Sequence, residues 1–250
     1  MHILGLKITS HDTGAALISN GKVVAIAEER LCRIKHSSRM FPSRAIAYCL
    51  ATAGITAKDI SLVAIDQAGN RDSKDLFAIL HENTNGAFRH ARILLINHHD
   101  AHAAHAFFCS PFDDAAVLIV DGAGEKFATT LGILGTETET LYRGIGNRLT
   151  QIRKAMHLRR KTRFPYTTGV GKLYSILSEE YLNFGHYNEG KMMGLAPYGD
   201  LRVFDEYPIG EWLKEYNGDI VCNPRIRFVG EESVVKKRES VLMKMFRVFI

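Results

Sequence analysis

Apolar side chains recur at about every second position through the first thirty residues, in three short runs. These are "HILGLKI", "AALIS" and "KVVAIAEE", separated by "SHDTG" and by Asn20-Gly21. An Asn-Gly pair between two alternating runs specifies a two-residue hairpin, so the pattern predicts a three-strand meander. The period then changes. "RAIAYCLATA" follows Pro42 and closes at Gly54, which predicts a helix starting near Ser43. "ISLVAID" (60–66) reads as a short strand ending in an acid, followed by a weaker helix over about 72–82. "RILLI" (92–96) predicts another strand, and a helix rich in histidine follows it directly. "AAVLIVDG" (115–122) reads as an apolar strand ending at Asp121-Gly122. "TTLGIL" and "TLYRGI" suggest a further hairpin, and "GVGKLYSILSEEYLNF" (169–184) a helix. The stretch 145–165, with Gly146, Asn147 and a closing Pro165, reads as a loop or insertion. A meander followed by alternating strands and helices is a mixed α/β layout, and no repeat of 20 to 50 residues interrupts it.

Composition narrows this picture a little. The chain has 250 residues, 46% hydrophobic and 24% charged, enough for one large domain or two small lobes. No apolar run reaches membrane-spanning length, and the N-terminus lacks a secretory pattern, so the expected location is cytoplasmic with no membrane partner. Cys32, Cys49, Cys109 and Cys222 are scattered, with no CxxC pair, which fits reduced thiols. The net charge of +5 is local. "QIRKAMHLRRKTR" (151–163) and "VKKRESVLMKMFR" (235–247) hold eleven of the 32 basic residues and one of the 27 acidic ones; the remainder carries −5. These stretches read as solvated segments. An RNA-facing arm is the sharper alternative. Phe246 is their one aromatic, a poor platform for stacking bases, so a nucleic-acid partner is not expected.

The chemistry concentrates in "NHHDAHAAHAFF" (97–108). On a helix His98 and His102 share a face, His105 joins their stripe, and His99 points about a quarter-turn away. Ala101, Ala103, Ala104 and Phe108 would form the packed side. Two imidazoles four residues apart can ligate one metal. The alternative is a solvent-facing helix whose histidines do nothing in common. Asp121, at the tip of an apolar strand, is the candidate third ligand, because open α/β sheets bind ligands at that edge. Its plainer role is to cap the glycine-rich turn that follows. Two histidines and a carboxylate suit Fe(II), with Zn(II) or Mn(II) as competitors. In "VDGAGE" (120–125), Gly122 and Gly124 let the backbone turn tightly, and successive amides there suggest a nest for phosphate oxygens. "SHDTGAA" (10–16) suggests the same.

Taken together and in order, "SHDTGAALISNGKVVAIAEERLCRIKH", "FPSRAIAYCLATAGI", "NHHDAHAAHAFFCSPFDDAAVLIVDGAGE", "TTLGI", "GVGKLYS" and "NEGKMMGLAPYG" resemble the carbamoyltransferase family that includes nodulation protein U and the antibiotic O-carbamoyltransferases. The resemblance spans roughly residues 3 to 200. It implies an actin-like ATPase fold, a ribonuclease H-like mixed sheet flanked by helices. The first lobe would cover 1–112, and the second would begin over 113–200 with a basic insertion near 146–165. The segment 201–250 has no assigned structure. Family members run on through the rest of that second lobe, which supplies a further acidic ligand, and then into a domain that makes carbamoyl-adenylate.

The resemblance also implies site roles. His98 and His102 match the metal-binding HxxxH pair, Asp121 the strand-end ligand, and the metal, usually iron, holds nucleotide phosphates. His11 and Asp12 lie on the phosphate-side turn. Lys35 and His36 would face the carbamoyl group or acceptor, with His11 or His36 as proton acceptor. Lys191 and Gly194 would line the nucleotide and acceptor cleft. ATP and carbamoyl phosphate are the implied donors, a small-molecule hydroxyl compound the acceptor. A separate chain or domain supplying carbamoyl-adenylate, or self-association, would complete the assembly. Asp100, His105 and Lys172 depart from the family's usual small or apolar residues. The competing expectation is a nucleotide- or metal-binding domain without catalysis of its own.

Overall fold

The alternation of the first thirty residues folds into β1 (His2–Lys7), β2 (Gly14–Ser19) and β3 (Lys22–Ala27), all antiparallel. Asn20 and Gly21 take φ of 50° and 78°, the paired left-handed conformation of a tight hairpin, and they set Ser19 opposite Lys22. These coordinates are a computed structural model that describes residues 1–67, 73–128, 134–158, 169–176, 178–179, 182–185, 187–199, 213–216 and 219–222. The chain divides into two units, Met1–Phe112 and Asp113–Ile250.

In the first unit β1 also pairs, in parallel, with β4 (Leu62–Asp66), and β4 with β5 (Arg92–Ile96). The sheet order is β3-β2-β1-β4-β5. This is the ribonuclease H-like mixed sheet that the resemblance implies. The predicted third strand stops two residues early, because Glu28 opens a short helix, α1 (Glu28–Cys32). The Glu28 amide bonds the Thr13 carbonyl at 2.9 Å. Its side chain is buried, and Oε2 accepts the Ala45 N–H at 2.8 Å. That N–H belongs to the first turn of α2 (Ser43–Ala53), where amides have no helical partner and negative charge is favoured. The helix ends as predicted, at Gly54 with φ 65°. It lays Ala45, Ile46 and Cys49 on the sheet beside Leu4, Leu17, Val63 and Ile65. Each buried Leu, Val or Ile contributes about 1.5–3 kcal/mol relative to exposure. Helix α3 (Ser73–Asn83) adds Leu76 and Leu80 to the same core.

The second unit is antiparallel. Strands β6 (Asp114–Val120) and β9 (Arg148–Leu158) flank the long β8 (Leu134–Ile145), and β7 (Lys126–Ala128) pairs with its start. Among the described residues that follow are α5 (Val170–Ile176), α6 (Glu189–Leu195), and the antiparallel pair β10 (Leu213–Tyr216) and β11 (Asp219–Cys222). Two expectations change here. Residues 148–158 of the supposed loop are strand β9, joined to β8 by the two-residue turn Gly146-Asn147, with Ile145 opposite Arg148. The Gly-Asn pair was the signal, and the charged residues after it hid the strand. The predicted hairpin therefore pairs "TLYRGI" with β9; most of "TTLGIL" (129–133) lies outside the described residues. The helix predicted over 169–184 is α-helical over Val170–Ile176 and π-helical at 178–179; residues 177, 180 and 181 lie outside the described residues, and the chain turns through Asn183 and Gly185 at positive φ.

Candidate functional site

Strands β1, β4 and β5 run parallel, so their carboxyl ends share one edge of the first sheet. β5 ends at Ile96, Asn97 caps the next helix by accepting the Asp100 N–H at 3.1 Å, and α4 (His98–Phe108) begins. Its packed face differs from the expected one. His99, Ala103 and Phe107, four residues apart, are buried, whereas Phe108 is 52% exposed and His105 is exposed. His98 is buried beside them.

His98 and His102 meet as the i, i+4 spacing requires. Their Nε2 atoms are 3.1 Å apart, and their ring centroids 4.5 Å apart at 78°. Behind His98 stands a residue missing from the sequence-based set. Asp66, the last residue of β4, places Oδ1 and Oδ2 at 3.0 and 3.1 Å from His98 Nδ1. Strand pairing sets Asp66 opposite Ile96, two residues before His98. An ionised carboxylate only accepts, so Nδ1–H donates to it and the His98 Nε2 lone pair faces His102. A metal-bound imidazole commonly carries a carboxylate behind it in this way. Two nitrogens about 2.0–2.1 Å from one ion at right-angle to tetrahedral spacing would lie about 2.9–3.4 Å apart. The observed 3.1 Å fits. Lys7 Nζ, 3.9 Å from Asp66 Oδ2, supplies positive charge at the same edge.

The loop after β1 brings a second group to this unit. His11 Nδ1 lies 2.5 Å from Asp12 Oδ2, and His36 Nδ1 lies 3.0 Å from Asp12 Oδ1. The two loops are zipped by backbone bonds, Asp12 N–H to the His36 carbonyl at 2.6 Å and Arg39 N–H to the Ser10 carbonyl at 2.8 Å. Glu29 accepts the His36 N–H at 2.8 Å. Thr13 and Ser37 hydroxyls, both buried, bond beneath at 2.9 Å. Ser10, Asp12, His36, Ser37 and Arg39 all sit at positive φ, a conformation that persists only where surroundings hold it. Lys35 is exposed beside His36. Burial works against ionising Asp12, but its bonds to His11 and His36 win, and its carboxyl is held below the ordinary value. Three of the four candidates on these loops are thus joined. Asp12 accepts at one oxygen from each imidazole.

In the second unit Asp121 follows β6, its amide bonded to the Thr138 carbonyl at 2.8 Å. Its Oδ1 accepts the Gly122 N–H at 2.7 Å, the capping role the sequence allowed. The Gly124 N–H goes to the Glu137 carbonyl at 2.9 Å. Both amides offered to a phosphate are therefore spent inside the chain, and the nest expected over 122–124 is not built from them. The buried Glu137 accepts the Glu125 N–H and pairs with Lys154 on β9. Gly171 on α5 presses on the Asp121-Gly122 backbone; a Cβ there would stand 2.7 Å from the Asp121 carbonyl carbon. Lys191 and Gly194 lie on α6. The Lys191 ammonium stands 5.8 Å from the Phe184 ring centroid, and a Cβ at Gly194 would meet nothing within 4 Å. Nothing at Gly194 requires glycine.

Imidazoles and carboxylates gathered at the carboxyl edge of a ribonuclease H-like sheet place this chain among the actin-like ATPase folds. It belongs to the carbamoyltransferase family: the family description "Carbamoyltransferase N-terminus" matches residues 2–78 and 79–217. It is 33% identical over 211 residues to nodulation protein NolNO of Sinorhizobium fredii, covering 76% of this chain and 28% of that one. It is 35% identical over 240 residues to the uncharacterized protein sll1178 of Synechocystis, covering 82% of this chain and 36% of that one. The chain thus spans about a third of the length of these relatives. Among solved structures, YeaZ from Pseudomonas aeruginosa is similar at a TM-score of 0.40 and 14% identity, over 62% of this chain and 68% of that one.

Proposed function

We propose that this chain transfers a carbamoyl group from carbamoyl-adenylate to the hydroxyl of a small-molecule acceptor. One observation carries the reading: a carbamoyltransferase-family chain presents two imidazole Nε2 atoms 3.1 Å apart, with His98 fixed from behind by Asp66. A divalent ion, iron or a competitor, held by His98 and His102 would neutralise charge on the adenylate phosphate. The chain's own residues do the rest. His11 or His36 accepts the acceptor's hydroxyl proton. The acceptor oxygen then bonds to the carbamoyl carbon, the bond from that carbon to the phosphate oxygen breaks, and AMP leaves. Lys35 offers a cation for the carbamoyl oxygen, and Lys191 one for the nucleotide. Carbamoyl-adenylate is supplied from ATP and carbamoyl phosphate by a separate domain or chain.

The test incubates the chain with each metal, preformed carbamoyl-adenylate and a panel of hydroxyl acceptors, and detects carbamoylated product by mass spectrometry. Metal-dependent product supports the reading. Metal and nucleotide binding without product from any acceptor overturns it in favour of a binding domain.

A further inference from the structure

Residues 30–44 carry five cations and no acid: Arg30, Arg33, Lys35, Arg39 and Arg44. Two of these are engaged within the chain. Arg30 lies 3.5 Å from Glu29, and Arg44 donates to the Leu31 carbonyl at 3.1 Å. Arg33, Lys35 and Arg39 are exposed, and their side chains make no ion pair or hydrogen bond among the described residues. The backbone under the two arginines is strained. Arg33 closes α1 at φ 62°, and Arg39 stands at φ 61°. Glycine takes this conformation freely and is the usual residue at such a helix end, whereas the Cβ of an arginine is crowded there. Strained side chains that touch nothing in the fold point to something outside it. The loop also holds them in place. The Ser37 and Met40 N–H groups bond the Ile34 and Ser37 carbonyls, each at 3.1 Å, so the chain turns twice between Ile34 and Met40. Each turn keeps its ends within about 7 Å. Bonds from the Arg39 N–H to the Ser10 carbonyl and from the Asp12 N–H to the His36 carbonyl fasten both turns to the loop after β1.

We propose that Arg33 and Arg39 bind an anionic group on the acceptor, a phosphate ester or a carboxylate, so that the substrate class is acidic hydroxyl compounds rather than neutral ones. This rests on the transfer reading above and names the kind of acceptor that it leaves open. A guanidinium offers a planar fork of donors that matches the oxygens of either group, and it stays charged at any working pH. In the transfer reading the donor's phosphate is neutralised at His98 and His102, which leaves these two cations for the acceptor. His36 lies midway between them in the chain, on the same pair of turns. An acceptor anchored by its anion at the arginines thus brings its hydroxyl to the loop that carries the imidazoles.

Two measurements on the full chain test it. The first needs no turnover. Inorganic phosphate is titrated into the metal-free chain with its guanidinium carbons labelled by ¹³C, and NMR follows Arg33 and Arg39, assigned by loss of their signals in Arg33→Gly and Arg39→Gly. Both signals should move along one saturating curve, and the double glycine variant should bind phosphate about tenfold or more weakly. That variant should also melt higher than the native chain, since glycine relieves both strained positions. Signals indifferent to phosphate overturn the proposal, as does a lower melting temperature, which would make the arginines part of the fold. Signals moved by a heparin oligosaccharide but not by phosphate assign the loop to a polymer and overturn it too. The second measurement compares acceptors matched except in charge: a neutral hexose, its phosphate ester and its uronic acid. The native chain should favour an acidic acceptor over the neutral one by about tenfold or more in kcat/KM, and the double variant should lose that preference through KM. A native preference for the neutral hexose overturns the proposal. So does a loss of AMP affinity in the double variant, which would give the arginines to the donor. No transfer to any acceptor, with phosphate bound as expected, sinks the transfer reading and leaves the anion site standing.

Discussion

Replacing Asp66 with asparagine probes the metal reading at the residue least visible in the sequence. Both Asp66 oxygens lie within 3.1 Å of His98 Nδ1 and hold its proton there. Asparagine keeps the shape and loses the charge. Its amide either accepts more weakly or, flipped, donates, and then His98 must protonate at Nε2 and give up its metal-binding lone pair. Losing such a carboxylate typically costs 10–100-fold in metal affinity, or about 1.4–2.7 kcal/mol. The same loss appears as about 1.4–2.7 kcal/mol less stabilisation by saturating metal. Lys7 loses a partner as well, but at 3.9 Å and part exposed that pair contributes at most about 1 kcal/mol, and to the metal-free fold. Anaerobic calorimetric titration with Fe(II), and separately with Zn(II) or Mn(II), compares the native chain, Asp66→Asn and the His98→Ala/His102→Ala double variant. The double variant should retain no metal at this site, and Asp66→Asn should fall between. Affinity indistinguishable from native in Asp66→Asn, with the metal-free melting temperature also unchanged, refutes the reasoning.

Glu28→Ala should destabilise the fold by about 1–3 kcal/mol, because it strands the buried Ala45 N–H, while Glu28→Gln keeps an acceptor and should lose less; denaturant unfolding separates them. Burial pushes the Cys49 thiol up, so under native conditions iodoacetamide should label the exposed Cys109 first and Cys49 only on unfolding, as peptide mass spectrometry would show. The Asp12 carboxyl is depressed in the folded chain, so its contribution to stability is full above the ordinary carboxylate range. It should fade as pH drops through that range and below it. Acid unfolding of Asp12→Asn should show a shallower loss over that interval; an identical profile would count against the His11–Asp12–His36 pairing. Gly171→Ala should displace α5 from the Asp121-Gly122 backbone and lower the melting temperature more than Gly194→Ala, which meets nothing within 4 Å.

Much of the first unit was readable because its signals are local. Asn20-Gly21 specified a hairpin, Pro42 and Gly54 bracketed α2, and an i, i+4 spacing placed two imidazoles together. What escaped the sequence was set by tertiary neighbours. Asp66 looked like a strand's polar end; only parallel pairing with β5 brings it behind His98. Asp12 and His36 are 24 residues apart, and no periodicity links them. Glu28 continued a strand-like run until its burial at the start of α2 turned it into a helix. On α4 the alanines suggested the wrong packed face, because His99 rather than Phe108 fills the interior. β9 was hidden by its charge, yet lysine and arginine are common on strands at a sheet's margin.

The five left-handed residues around Asp12 and His36 carry a cost for the chain's history as much as for its chemistry. Each non-glycine residue so held costs roughly 1–3 kcal/mol, against a whole-domain margin of about 5–15 kcal/mol. Ser10→Gly or Arg39→Gly would relieve that burden and yield a hardier protein. It would also let the loops breathe, and a breathing loop no longer holds one imidazole still. Thermal robustness and reactivity are set against each other within thirty residues of chain, and selection for the first alone would erode the second.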